Sequence, residues 1–403
     1  YVATAAELED QNRKALYTII DGVNSDPDPQ TSVDEILRSY EKGEKKALSL
    51  VKGMVQLCLK GFRQTLQRAG ISLDRWDWES SLVWQGKVEK ALSLLRQTSY
   101  VRLSEGALVF DVEEAALRLG VKDRLNYHDK LPTLTRKDGT TLYTTRDIAY
   151  HLEKFKWADR AVNVIGVDQK LAQTQLKVAL ITLGVKKALE GLHHCAYELV
   201  KLPGYKMSRR RGRYITFDEL LQEAENMAYQ EVEKRSPSLP QTLKHEIARA
   251  VGLGAIKYAM LNVSPLKVVN FTWDRVLNFE ANSGPYIQYA YARASSILRK
   301  AKAKKLPKPS PESLEHKLER SLIIELARFP EVFTEAADEL KPELLTQYAN
   351  GLAEVFNNFY DNLPVLKAEP GSLRASRLWL VKGVRTVLGN CLNLLGIPTP
   401  KRM

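Results

Sequence analysis

Lys206-Met-Ser-Arg-Arg-Arg-Gly-Arg213 is the stretch of this chain with the sharpest chemical character: five of its eight residues are basic and a glycine permits a tight turn. A cationic loop between a β-rich run and a capped helix suits the gripping of polyphosphate, where negative charge moving onto a leaving pyrophosphate can be stabilised. A solvated basic turn or a contact to an RNA backbone would use the same residues.

Tyr143 and Asp147 stand at i and i+4 and share a face if a helix has begun by Thr144. A carboxylate beside a phenol can meet a guanidinium with bidentate, charge-assisted bonds, which an ammonium matches poorly. The alternative is an acidic residue favouring a helix dipole above a half-buried tyrosine. Gln169 follows the β-rich run at 162–165, at the carboxyl end of an expected parallel strand, where α/β sheets place ligands; a plain helix N-terminal glutamine is the other reading. His193 and His194 precede the expected strand that leads to the Lys206 loop, and no third ligand has the spacing for a metal site.

The C-terminal region is basic. Arg293, Arg299, Lys300, Lys302, Lys304 and Lys305 form one stretch, and the last 40 residues set seven cations against Glu369 alone. Tyr348, Phe356, Phe359 and Tyr360 lie between. Bases of a single-stranded loop can stack on aromatics while cations hold phosphates. An aromatic helical stripe is more often core, and Phe356 and Phe359 are read as core.

The elements that must position these groups change texture along the chain. Residues 1–100 read as mostly helical, with capping-box spacing at Ser32-Val-Asp-Glu35 and helical recurrence of Leu48, Val51, Val55, Cys58, Leu59 and Phe62. From 105 to 215, β-rich runs at 107–112, 162–165 and 196–200 alternate with helical patterns at 145–156 and 170–183, which predicts part of a parallel α/β sheet. Helices are expected beyond, at 217–235, 240–262, 284–304, 312–328, 342–361 and 373–395, with Thr216-Phe-Asp-Glu219 as a second capping box.

Composition sets bounds. With 403 residues, 44% apolar and 27% charged, the chain is long enough for two or three domains and is not wholly disordered. Sixty Lys and Arg against 48 Asp and Glu, a formal +12, favour a polyanionic partner, nucleic acid first. Cys58, Cys195 and Cys391 form no disulfide framework or zinc knuckle and fit a reducing compartment. The longest apolar stretch, 48–62, is interrupted by Lys52 and Lys60, so no segment is expected to span a bilayer.

Lys206-Met207-Ser208 after a strand resembles the second signature of class I aminoacyl-tRNA synthetases, usually Lys-Met-Ser-Lys-Ser, with Arg209 and Arg210 in its last two places. The flanks narrow the resemblance to the arginyl-tRNA synthetase family. They are Asp138-Gly-Thr-Thr-Leu-Tyr-Thr-Thr-Arg-Asp-Ile-Ala-Tyr150, Gly166-Val-Asp-Gln169 and Phe279-Glu-Ala-Asn-Ser-Gly-Pro-Tyr-Ile-Gln-Tyr-Ala-Tyr-Ala-Arg293. Phe356-Asn-Asn-Phe-Tyr360 and Leu395-Gly-Ile-Pro-Thr-Pro-Lys-Arg-Met403 complete the set, so the similarity runs from Trp76 to the last residue.

The resemblance implies α/β plus all-α architecture: the remainder of a helical insertion at 1–130, the second half of a Rossmann-type catalytic domain at 131–215, a connecting helical segment at 216–282 and an anticodon-binding helical bundle at 283–403. It implies ATP- and Mg2+-dependent activation of L-arginine to arginyl-adenylate and transfer to tRNA-Arg, by a cytoplasmic monomer without a membrane or a protein-bound metal. Tyr143, Asp147 and Gln169 would hold arginine; His194, Lys206, Met207, Ser208 and Arg209 would serve ATP, with Lys206, Ser208 and Arg209 catalytic; Tyr348 and Met403 would lie near the recognised anticodon bases. The family's first signature, His-x-Gly-His, does not occur, so this polypeptide alone is expected to have little synthetase activity. A non-catalytic tRNA-binding paralogue and another class I enzyme, such as the cysteinyl one, are the rival readings.

Overall fold

The computed structural model describes residues 17, 21–22, 24–125, 131–137, 139–203, 215–301 and 306–403. These fall into two compact units, one made of residues up to Arg68 and 72–196, the other of 69–71 and the chain from Tyr197 onward.

The first unit opens with helices α1 (Pro29–Glu41) and α2 (Lys45–Arg68). The Asp28 carboxylate accepts from the backbone N–H of Thr31 at 3.2 Å, and Pro29 supplies the fixed φ of a first helical residue. The helix therefore starts a turn earlier than Ser32, which lies inside it and caps nothing. Next come α3 (Glu79–Trp84), α4 (Lys87–Arg96) and a hairpin of β1 (Val101–Ser104) and β2 (Ala107–Phe110). Glu105 and Gly106 both take positive φ, 48° and 85°, the turn whose twist matches paired antiparallel strands. The β-rich run at 107–112 thus belongs to a local antiparallel hairpin, not to a parallel sheet. It stops at Phe110 because Asp111 caps α5 (Val112–Arg118) through the N–H of Glu114.

Helix α6 (Tyr143–Lys154), strand β3 (Ala161–Gly166), helix α7 (Lys170–Thr182) and strand β4 (Leu192–Tyr197) follow, with β3 paired to β4. Leu92, Leu95, Phe110, Ile148, Leu176 and Leu180 are all fully buried between these elements. The strand expected at 196–200 is displaced: β4 begins at Leu192, a core residue, and takes in both His193 and His194.

In the second unit the short strand β5 (Val200–Lys201) runs parallel to β6 (Val269–Asn270). The Thr216 capping box forms as expected: Glu219 N–H donates to Thr216 Oγ1 at 3.2 Å and Thr216 N–H to Glu219 Oε2 at 2.6 Å, starting α8 (Phe217–Arg235). The longer helices that follow are α9 (Gln241–Leu261), α10 (Gly284–Lys300), α11 (Lys317–Ala327), α12 (Phe329–Asp338), α13 (Pro342–Asn362) and α14 (Gly371–Leu394). The helix expected at 312–328 begins only at Lys317, because Pro311–Ser313 close a single 3-10 turn and His316 makes the cap with Glu319. Helix α12 lies outside the expected set; Pro330 in its first turn permits a restart directly after Arg328.

Helices α9 and α10 touch backbone to backbone: a Cβ on Gly284 would stand 2.3 Å from the carbonyl oxygen of Gly254. Leu322, Phe356, Phe359, Val381 and Leu388 fill the bundle core, as expected of the two phenylalanines. Buried charges are paired there, Arg377 Nε donating to Glu319 Oε1 at 2.6 Å and its Nη1 to the carbonyl of Pro364 at 2.7 Å. Among the described residues no helix is long and apolar enough to cross a membrane.

Candidate active site and nucleic-acid interface

Helix α6 starts where Leu142 N–H and Thr145 Oγ1 both donate to the carbonyl of Leu134, at 3.0 and 2.7 Å. That anchorage leaves Tyr143 62% exposed at the helix start and Asp147 one turn on, so the two share a face as the spacing requires. Between them Arg146 is pinned by Glu41 at 2.8 Å and Glu79 at 3.0 Å. The face opens into a cleft of about 660 Å³ walled by Trp76, Trp78, Tyr150 and Trp157 as well as Tyr143 and Asp147. Aromatic walls interleaved with charged groups, Arg75, Asp77, Lys87 and Glu153 among them, suit a small polar ligand.

Around the cleft the charges are held. Tyr150 donates to Asp77 Oδ2 at 2.6 Å; burial first, then that bond, pushes its phenol up to about 12. The same bond is the main reason why the Asp77 carboxyl lies below its ordinary value. The ammonium of Lys154 lies 4.3 Å from the Tyr150 ring centre, and burial lowers its pKa against the opposing pull of Asp147 and Asp77.

Asp147 also has a buried side. His151, 1% exposed, places Nδ1 3.2 Å from Asp147 Oδ1, and Gln173 of α7 donates to Oδ2 at 3.5 Å. Asn163 of β3 joins His151 and Gln173. None of these three was singled out from sequence. The available signal is a polar side chain inside an apolar run, as in Val162-Asn-Val-Ile165 and Ile148-Ala-Tyr-His-Leu152.

Gln169 is the residue before α7, half-buried, with its amide on Asp168 Oδ2 at 3.2 Å. It does not line the cleft with Tyr143 and Asp147; it stands four residues, about one turn, before Gln173, which reaches Asp147. His194 lies within β4, not before it, and its Nε2 is 3.2 Å from the carbonyl oxygen of Ile165. Lys206, Met207, Ser208 and Arg209 lie outside the described residues. Among the described residues no group of three or more His, Cys, Asp or Glu is placed to hold a metal ion.

The second unit carries a basic groove of about 550 Å³ bordered by Tyr289, Arg293, Lys300, Tyr360, Arg402 and Met403, among others. The Arg293 guanidinium lies 4.9 Å from the centre of the Tyr289 ring and 5.2 Å from that of Tyr360, and it donates to Asn357 Oδ1 at 2.9 Å. The terminal segment is tied down before it reaches the groove, with Lys257 Nζ on the Gly396 carbonyl at 2.6 Å and Gln288 Nε2 on that of Pro398 at 2.8 Å.

Met403 borders this groove, beside aromatic and basic side chains. Tyr348 does not. It is 5% exposed, in the bundle core, and its hydroxyl donates to the Glu325 carbonyl at 2.8 Å, so it offers no ring to a base. Burial raises its pKa.

Comparison with known proteins puts a family to this arrangement. Residues 24–273 match the model for class I tRNA synthetases (R), catalytic domain, and residues 287–403 that for the DALR anticodon binding domain. A catalytic and an anticodon-binding module in one chain define a class I aminoacyl-tRNA synthetase. Among curated proteins the chain is 39% identical to an arginine–tRNA ligase of Aeropyrum pernix over 100% of its own length and 64% of the relative's. It is 44% identical to that of Ignicoccus hospitalis, over 94% of the chain and 61% of the relative. The solved Thermus thermophilus arginyl-tRNA synthetase superposes with a TM-score of 0.82 at 34% identity, covering 94% of this chain and 68% of that one. The chain belongs to the arginyl-tRNA synthetase family. It spans less than two thirds of the length of those curated relatives.

Proposed function

We propose that the protein carrying this chain is an arginine–tRNA ligase. The observation that carries the reading is the pairing of Tyr143 and Asp147 on one face of α6 in an aromatic-walled cleft. Asp147 accepts the two-pronged guanidinium of L-arginine, Tyr143 bonds its edge, and Gln169 holds the amino-acid end of the substrate. A neutral citrulline lacks the charge, and a lysine lacks the fork. Held at its remote end, arginine presents its carboxylate to the α-phosphorus of ATP. The new oxygen–phosphorus bond forms as that to pyrophosphate breaks, giving arginyl-adenylate. A terminal adenosine hydroxyl of the tRNA then attacks the activated carbonyl and AMP leaves.

Lys206 and Arg209 neutralise charge on the departing pyrophosphate and Ser208 donates a hydrogen bond to it, with Met207 and His194 bordering the nucleotide. Magnesium enters with ATP as part of that substrate. The Tyr289–Arg293–Tyr360 groove and Met403 receive the anticodon loop of tRNA-Arg, the cation holding phosphate or stacking beside a base. Three free cysteines support a reducing compartment, the cytoplasm.

The test is arginine-dependent exchange of pyrophosphate into ATP by the full-length protein with tRNA present. Exchange with L-arginine, and not with L-lysine or L-citrulline, is expected; exchange driven by another amino acid overturns the reading.

A further inference from the structure

We propose that Asn163, Gln173 and His151 are positioning residues that restrain the Asp147 carboxylate for its guanidinium partner, acting as one ring of polar contacts. The inference rests on Asp147 receiving arginine, as proposed above, and adds which side chains behind it set its orientation.

The ring has one consistent direction. His151 Nδ1 faces only acceptors, the Asp147 backbone carbonyl at 2.9 Å and Oδ1 at 3.2 Å, so it carries the proton. His151 Nε2 lies near both amide atoms of Asn163, Nδ2 at 3.0 Å and Oδ1 at 3.1 Å, and near the Lys154 ammonium at 3.4 Å. The ammonium can only donate, so Nε2 accepts and Asn163 turns Nδ2 toward it. Asn163 Nδ2 gives its other proton to Gln173 Oε1 at 2.6 Å. That fixes the Gln173 amide, whose Nε2 must turn to Asp147 Oδ2, at a long 3.5 Å. The asparagine amide, with its two protons, sets both arms of the ring.

The consequence lies at Asp147. Oδ2 takes the Gln173 amide and Oδ1 lies 3.2 Å from His151 Nδ1, while the side chain stays 36% exposed at the cleft. A carboxylate approached by donors at both oxygens is restrained from turning, and its remaining lone pairs lie in one plane for a planar fork. Gln173 and His151 are 7% and 1% exposed, so water does not replace a lost member of the ring.

Asn163→Asp keeps the shape and removes both donors, leaving an acceptor facing Nε2 and Oε1. In the full-length protein it should raise the KM for L-arginine roughly fivefold or more, with kcat at saturating arginine and the KM values for ATP and tRNA unchanged. Gln173→Met keeps the volume and the helix, cuts the other arm and should do the same, so the test survives if Asn163→Asp fails to fold. In an Asp147→Asn background neither variant should raise the arginine KM further, because the group being positioned has changed. An unchanged arginine KM in both folded variants overturns the proposal. So does a joint rise of all three KM values, or full additivity with Asp147→Asn. A wild-type protein that exchanges no pyrophosphate on arginine overturns the proposed function, and this inference with it.

Discussion

The guanidinium of Arg293 on α10 lies 5.2 Å from the centre of the Tyr360 ring on α13, so a cation from one helix is braced by an aromatic from another. Its own-helix neighbour Tyr289 gives a second ring, and both tyrosines are more than a third exposed. The group is therefore rigid, charged and open to the groove, a combination suited to a base and its phosphate. Arg293→Ala should weaken tRNA-Arg binding about tenfold, and weaken a second tRNA less. Lys401→Ala, at the groove's edge, should weaken both alike and lower the salt slope by about one. Equal losses for both tRNAs in Arg293→Ala would show that charge alone acts there.

Stability of the second unit should hinge on the α9–α10 crossing. A methyl group at Gly284 meets the Gly254 carbonyl at 2.3 Å, backbone that cannot swing aside. Gly284→Ala should cost about 1–3 kcal/mol, read as a lower urea midpoint. Gly371→Ala is the control: at the start of α14 nothing stands within 4 Å of the new atom. It should be neutral or stabilising by about 0.5 kcal/mol.

Asp147→Asn tests the cleft. The substitution keeps shape and removes charge, and the Gln173 amide would then face an amide in place of a carboxylate oxygen. The arginine KM should rise at least about tenfold while the ATP KM holds, since a charge-assisted pair is worth roughly 1.5–3 kcal/mol. The side chain's partial exposure argues for the lower part of that range. Steady-state exchange kinetics measure both constants, and an unchanged arginine KM removes Asp147 from the pocket.

What could be read from sequence was local. The Thr216–Glu219 box and the shared face of Tyr143 and Asp147 each depend on residues within one turn, and both stand in the structure. The hidden parts depend on partners far away in sequence. Asn163 inside a β-rich run gives no hint that His151 and Gln173 receive its protons. Ser32 had capping spacing, but Asp28 followed by proline starts the helix first. Tyr348 was misplaced although a periodic signal existed: it falls on the stripe of Leu352, Phe356 and Phe359, all core. Tyr360, off that stripe, is the aromatic that reaches the surface.

The Tyr150–Asp77 bond joins α6 to the segment before α3 and should make stability depend on pH at both extremes. The phenol's folded value, about 12, lies above its ordinary 10.0, so above pH 10 the unfolded chain releases a proton that the folded one keeps. The folded state then binds more protons, and this contribution falls as pH rises from 10 through about 12. At the acid end the sign reverses. Asp77 titrates below its ordinary 3.8 when folded, so its contribution is present above that value and is lost as pH falls through the folded one. Tyr150→Phe removes the donor, and with it the alkaline dependence and the largest cause of the acid one; Arg75 still lowers Asp77. The difference in urea midpoint between wild type and Tyr150→Phe should be level across neutral pH, equivalent to about 1 kcal/mol after allowance for solvent screening. It should shrink at each end. A difference that stays constant up to about pH 12 would mean that the phenol contributes by packing against Lys154, and not through its proton on Asp77.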